Sequence, residues 1–138
     1  MNGPVRIQVA VDVPLAGTFS YLTESSVMPG SRVSVPFGNR RVCGVVVTPI
    51  PGEGVAEVDA AKLRRIDGVL DGLPPLPDDF LALARFASDY YHHPLGQTLF
   101  TALPTGLREP RDVSRPDRRP FALTAAGLAE PPPARQRA

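Results

Sequence analysis

The chain has 138 residues, 43% hydrophobic and 21% charged, which suits one domain with a packed core and excludes disorder throughout. A net charge of +1 is no advertisement for nucleic acid, and the single Cys43 excludes an internal disulfide or a cysteine-built zinc cage. No apolar run approaches the ~18 residues of a membrane span, and no G-x-x-x-x-G-K-[ST] loop is present, so the chain is not a P-loop ATPase by itself.

The charge is unevenly placed. Residues 1–58 hold four acids and four bases, residues 59–105 six acids and four bases, and residues 106–138 seven bases and four acids. Fourteen of the fifteen cationic side chains are Arg, with Lys62 the exception. Arg holds phosphate with a planar fork, although from counts alone a compositional bias toward Arg and Ala is the simpler explanation. The opening Met1-Asn2-Gly3-Pro4 lacks the charged and apolar regions of a secretion signal, so a cytoplasmic address is expected.

In chain order, Val5, Ile7, Val9, Val11 and Val13 alternate with Arg6, Gln8, Ala10 and Asp12, which predicts a strand with one buried and one wet face. Pro14-Leu15-Ala16-Gly17 breaks it, and residues 18–22 read as a short second strand. After the Pro29-Gly30 turn, residues 32–37 form a third, with Val33, Val35 and Phe37 on one face. Gly38-Asn39-Arg40 turns the chain back into a fourth strand, residues 42–48, apolar on both faces and therefore central. Residues 49–58 read as a surface loop and residues 63–70 as a further strand, since Ile66, Gly68 and Leu70 share a face and Gly68 weakens a helix.

Leu73-Pro74-Pro75-Leu76-Pro77 marks a change of architecture. Asp78 is suited to cap a helix, along which Phe80, Leu83, Ala84, Ala87 and Tyr91 form one apolar stripe. Pro94 starts a second helix, residues 95–103, and Pro104 stops it. The fold class expected is α+β: a small antiparallel β-rich, barrel-like domain followed by two helices, occupying residues 1–108. Residues 109–138, rich in Pro and Arg, read as a linker or disordered tail leading into the truncated start of a following domain, with Phe121-Ala122-Leu123-Thr124-Ala125-Ala126-Gly127-Leu128 as a strand and helix entry.

Three stretches carry a family resemblance: Val11-Asp12-Val13-Pro14-Leu15-Ala16-Gly17-Thr18-Phe19-Ser20-Tyr21, Gly30-Ser31-Arg32-Val33-Ser34-Val35-Pro36-Phe37-Gly38, and Ala87-Ser88-Asp89-Tyr90-Tyr91-His92-His93-Pro94-Leu95-Gly96. In this order they resemble the N-terminal, 3′-DNA-binding domain of the primosomal replication-restart helicase PriA (primosomal protein N′). The resemblance spans residues 5 to about 108, and the tail looks like the entry to that family's winged helix. It implies a fork-targeting module that captures the 3′-OH end of a nascent leading strand, independent of sequence. No catalytic activity is implied for this part. ATP and zinc belong to other parts of such proteins, so no cofactor is expected here. The implied partners are DNA (branched forks and 3′ ends of single strands) and, through a longer protein, primosome proteins and single-strand-binding protein. The module is expected to be monomeric, off the membrane and placed at the nucleoid.

The resemblance maps end recognition onto Phe19, Ser20, Gly38 and Arg64. An aromatic face stacks any base, for ~1–3 kcal/mol per base, and Phe19 is the candidate, although alternation alone would make it core. Ser20 stands where the family typically has Asp, and a hydroxyl makes a weaker contact to a base edge than a charged acceptor. Gly38 lets a DNA backbone come close and equally serves as a turn glycine. Arg64 matches a basic position and would hold the terminal phosphodiester, while Arg65 points to the other face of a strand. Arg40 and Arg41 flank the same turn as Gly38 and are further phosphate candidates.

His92 and His93 tempt a metal assignment, but adjacent residues on a helix point about 100° apart and no acid or thiol completes a ligand set. They are expected to end the helix, where a cation favours the dipole. Asp78-Asp79 is read as a helix-start pair and Cys43 as an inert, small hydrophobe. The competing function is a protein-docking module of the primosome without direct DNA-end binding, which the near-neutral residues 1–105 favour. An independent enzyme has no nucleophile–base pair or metal cluster to support it.

Overall fold

The N-terminal alternation does produce a strand, β1 (Val5–Val11), yet only its first half has a wet face. Gln8, Val9, Ala10 and Val11 are all buried in the computed structural model, which describes residues 3–48, 59–114 and 121–130. The reason is that β1 lies inside the sheet, with helices on its outer side. The order is β2 (Phe19–Thr23), β1, β4 (Arg40–Val47), β3 (Arg32–Phe37) and β5 (Gly68–Val69), every neighbouring pair antiparallel. β4 is central, as its two apolar faces require.

Phe37 pairs with Arg40, so Gly38-Asn39 is a two-residue hairpin loop. Gly38 has φ 59°, which suits the first central position of a type II′ turn, whose twist matches that of the flanking strands.

The predicted strand over residues 63–70 is only partly regular. Its middle departs because the segment serves two edges at once. On the β2 side, Leu22 N–H donates to Arg64 O at 2.9 Å and Ile66 N–H to Leu22 O at 3.0 Å. On the β3 side, Asp67 N–H donates to Ser34 O at 2.8 Å and Leu70 N–H to Arg32 O at 2.9 Å. Residues 64–70 thus join the two outer strands and curl the sheet into a barrel.

Closure separates two cores. Val9, Val11, Tyr21, Val33, Val35 and Val46 fill the inside, with Phe19, Phe37, Val42 and Ile66 partly buried at its margins. The alternate residues Ala10, Cys43, Val45 and Val47 point outward and are covered by Leu81, Ala84, Leu95, Leu99, Phe100 and Leu103. These belong to, or directly follow, helices α1 (Asp78–Tyr91) and α2 (Leu95–Ala102).

Two features of α1 differ from the sequence pattern. Pro77, not Asp78, occupies the N-cap, with no side-chain bond there, and Asp78 and Asp79 lie in the first turn. The buried edge is Leu81 and Ala84, with Phe80 beside them, while Leu83 (64% exposed) and Tyr91 (73%) face outward. Apolar residues line more than one side of this helix, so periodicity alone does not choose which side meets the sheet. At its end His92 adopts φ 51°, the left-handed cap conformation, and its amide donates to Ser88 O.

The packed unit continues past residue 108. Arg32, 5% exposed, donates from Nη1 to Leu107 O at 3.1 Å, and Arg108 donates to Leu103 O at 2.9 Å and Thr101 O at 3.2 Å. Asp71 N–H donates to Asp112 Oδ1 at 2.7 Å, and Val113 N–H returns to Asp71 O at 3.1 Å. Farther on, α3 (Ala125–Ala129) is a short helix capped by Thr124, whose hydroxyl accepts from Gly127 N–H at 3.2 Å, and all its residues are exposed. The loop predicted at residues 49–58 lies outside the described residues.

The contact between α2 and β1 depends on Gly96, where a Cβ would overlap the Val11 carbonyl. Gly96→Ala therefore has to push the helix off the barrel. It is expected to destabilise the domain by about 3 kcal/mol, the upper end for overpacking, read as a lower urea midpoint at unchanged slope.

Candidate nucleic-acid interface

Strand alternation puts Phe19 and Tyr21 on the inner side of β2, and β3 brings Phe37 to the same end of the barrel. The Phe19 and Phe37 rings meet edge to face, centroids 5.1 Å apart and planes at 79°. Both are half-buried, resting on the inner core with part of each ring open to solvent. Below them the Tyr21 hydroxyl donates to Pro36 O at 2.9 Å, tying β2 to β3 although they are not sheet neighbours.

Gly38 directly follows Phe37, and no atom lies within 4 Å of where its Cβ would be, so the space above the turn is open. Its carbonyl accepts from Arg64 Nη1 at 3.2 Å. That bond runs from the closing segment to the β3–β4 turn, so Phe19, Gly38 and Arg64 stand at one rim of the barrel.

Ser20 does not join them. It faces the outer side of β2, where its hydroxyl accepts from Arg6 Nη2 at 2.9 Å, Arg6 Nε at 3.2 Å and Gln8 Nε2 at 2.8 Å. Thr18 Oγ1 in turn donates to Gln8 Oε1 at 3.1 Å. The Ser20 hydroxyl is therefore engaged with side chains of β1, across the sheet from the two rings.

Arg40 and Arg41 open β4 and are exposed. Arg41 Nε lies 3.5 Å from Asp67 Oδ2, and Arg65 pairs with Glu24, away from Arg64. Two residues at this rim are not marked as functional by the sequence: Phe37 and Tyr21. Phe37 had a signal, its place immediately before the turn glycine, whereas Tyr21 reaches Pro36 only through the curl of the sheet.

Open grooves lie at the end of the sheet where β1 begins and β4 ends. One, of about 480 Å³, is lined by Ile7, Val27, Val46 and Val47, with Arg6 and Gln8 at its margin. The Phe19–Phe37 rim is an aromatic surface edged by the Arg64 guanidinium. No three His, Cys, Asp or Glu side chains among the described residues are grouped to hold a metal ion. No helix among them is long and apolar enough to cross a membrane.

A sequence profile for the 3′DNA-binding domain (3′BD) of PriA matches residues 8–104, the stretch that builds the barrel and both main helices. The chain belongs to that family. The matched domain is a DNA-binding one and not a motor. Replication restart protein PriA of Haemophilus influenzae is 33% identical over 123 residues, covering 88% of this chain and 16% of that protein. The protein of the same name from Buchnera aphidicola is 28% identical over 102 residues, 72% of this chain and 14% of that protein. The chain therefore spans less than a fifth of the length of these curated relatives.

Two buried acids of weak intrinsic strength have a stability consequence. Burial pushes the Tyr21 hydroxyl above its ordinary 10.0, with Arg64 opposing and Asp67 reinforcing the rise. Burial likewise pushes the Cys43 thiol above 9.0, against the pull of Arg32. Both groups are neutral in the folded and unfolded chain at neutral pH. Above about pH 9 the unfolded chain ionises first, so stability is full below that value and falls as pH rises toward the folded-state values. Urea midpoints measured from pH 7 to 11 should be level at first and then decline, and Cys43→Ala should delay the onset of the decline.

Proposed function

We propose that this chain binds the 3′-OH end of a DNA strand, independent of sequence, and so positions a larger replication-restart protein at a stalled fork. The observation that carries this reading is the bond from Arg64 to the Gly38 carbonyl beside the Phe19–Phe37 pair. It groups an aromatic face, an open backbone turn and a phosphate-binding cation on one rim, in a chain that belongs to a 3′DNA-binding family.

Each group has a task in such binding. Phe19 stacks the last base, which any base satisfies. Gly38 lets the terminal sugar approach the turn without a side chain in the way. Arg64 stays anchored through one nitrogen and offers its remaining N–H groups to the last internucleotide phosphate. Arg40 and Arg41 extend the cationic edge along the approaching strand. Ser20, with its hydroxyl held by Arg6 and Gln8, leaves recognition of the base to stacking, which favours sequence independence. In this reading the Arg64–Gly38 bridge bounds one side of the stacking face, so that a terminal sugar is accepted there in preference to a continuing strand.

In this reading the chain acts in the cytoplasm as a monomeric targeting module, without catalysis or a cofactor of its own. ATP and zinc would serve other parts of a full-length protein. One stacked base and few phosphate contacts make its own affinity weak, and linkage to further DNA-binding parts raises it by avidity.

The test is a titration with oligonucleotides of one sequence ending in 3′-OH, ending in 3′-phosphate, or presenting no free end. The 3′-OH ligand should bind tightest. Phe19→Ala should weaken it by about 1–3 kcal/mol, the value of one stacked base. Equal binding of all three by the unaltered chain sinks the proposal.

A second reading has its own observation. The outer side of α1 exposes Leu83 (64%), Phe86 (62%), Tyr90 (66%) and Tyr91 (73%), with Phe86 and Tyr90 stacked at 5.7 Å. Such an apolar, aromatic patch suits contact with protein, whether single-strand-binding protein or another part of the same protein. The two readings use different side chains and are compatible. Phe86→Ser with Tyr90→Ser should leave DNA-end binding unchanged.

A further inference from the structure

Tyr21 and Pro36 lie on strands that are not neighbours in the sheet, yet the Tyr21 hydroxyl donates to the Pro36 carbonyl at 2.9 Å. The register of β3 explains why that carbonyl is available. Phe37 and Arg40 flank the two-residue loop, so Pro36 and Arg41 form the next pair, whose backbone groups point away from the partner strand. On its other edge β3 pairs with β5 only at Val33 and Ser34. Pro36 thus lies outside that ladder, and it has no N–H to leave unpaired. A side chain from inside the barrel supplies the donor to its carbonyl instead.

Both ends of this bond adjoin the aromatic pair. Tyr21 follows Phe19 by two residues on the inner face of β2, and Pro36 immediately precedes Phe37. The two rings meet at 5.1 Å and 79°, so the bond joins the strands one step from each ring. A second bond crosses here, from Arg64 Nη1 to Gly38 O, but it is exposed to solvent. Tyr21 is 5% exposed, so water competes little for its hydroxyl. The rings themselves are half-buried, and a single aromatic pair is weak without strands that hold it.

We propose that Tyr21 is the positioning residue of the rim: its bond to Pro36 holds Phe19 and Phe37 in their perpendicular contact and so keeps a ring face presented for a base. This rests on the 3′-end reading above and adds what keeps its stacking surface in place. Tyr21 itself offers almost no surface to DNA and acts through the two rings. With β2 and β3 tied, the pair keeps its geometry. With the tie removed, the strand ends are free to slide, and Phe19 turns inward at the expense of its outer face. A face already in position stacks a base without an ordering cost at the moment of binding. The hydroxyl favours that arrangement by no more than its own net strength, which limits the effect to about fivefold in affinity.

The test measures Kd for one oligonucleotide ending in 3′-OH, using the unaltered chain, Tyr21→Phe, Phe19→Ala and the double variant. Tyr21→Phe keeps a ring in the core and removes only the donor. It should weaken binding about fivefold on its own, and it should leave affinity unchanged when added to Phe19→Ala, where the stacking face is gone. Nuclear Overhauser contacts between the Phe19 and Phe37 rings should be present in the unaltered chain and weaker in Tyr21→Phe. Urea midpoints will show that each variant is fully folded where binding is measured. A role in stability alone predicts a lower midpoint with unchanged affinity. That result, or an equal loss with and without Phe19, overturns the role of Tyr21, while weaker binding by Phe19→Ala still upholds the stacking reading. If Phe19→Ala binds as tightly as the unaltered chain, both are overturned.

Discussion

Barrel closure by residues 64–70 is the constraint on which the rest depends. A sheet of this order leaves β2 exposed at one edge and β3, with only the two-residue β5, at the other. The closing segment meets both through backbone hydrogen bonds, two to Leu22 on one side and two to Ser34 and Arg32 on the other. Without it, Tyr21 would lose the walled interior in which its hydroxyl reaches Pro36, and Phe19 would have no fixed relation to Phe37. Arg64 and Asp67 are residues of that same segment. The element that completes the fold also delivers the Arg64 guanidinium to the candidate site, so site geometry and domain stability are linked.

The division of the sheet into two apolar faces follows from closure as well. Residues such as Val9 and Val11 fill the barrel, while Ala10 between them meets the helices. Small residues appear where close approach demands them: Gly44 lies under the Val9 side chain inside the barrel, and Gly96 against the Val11 backbone where α2 meets β1. Close approach of α2 to β1 leaves no room for water between helix and strand. The inner strands therefore read as apolar on both sides, unlike those of an open sheet with one wet face.

Much of this was legible in the sequence because it is local. Alternation marked β1 and β3, Gly38-Asn39 marked the hairpin, and the double-sided apolar run of β4 marked its central place. Phe19 and Gly38 could be singled out from their motifs, and the structure brings both to the rim with Arg64. Ser20 was grouped with Phe19 by adjacency, but consecutive strand residues face opposite ways, and its hydroxyl is held by Arg6 and Gln8 instead. Tyr21 was illegible as a rim residue because its contact with Pro36 depends on a long-range closure that no short window records. The orientation of α1 was illegible for a different reason: Leu81 with Ala84 and Leu83 with Phe86 offer competing apolar sides, and tertiary packing decides between them.

The strap from Leu107 to Val113 has a mechanical meaning. Leu107 is gripped by the buried Arg32, and Val113 is clipped to Asp71, just after the segment that bears Arg64 and Asp67. Gly72, with φ 99°, lies so close to the Val113 backbone that a Cβ there would collide with it. A pull on the polypeptide at Val113 is thus passed to Asp71, the residue next to the segment that closes the barrel, so tension on this strap and the curl of the sheet are mechanically joined.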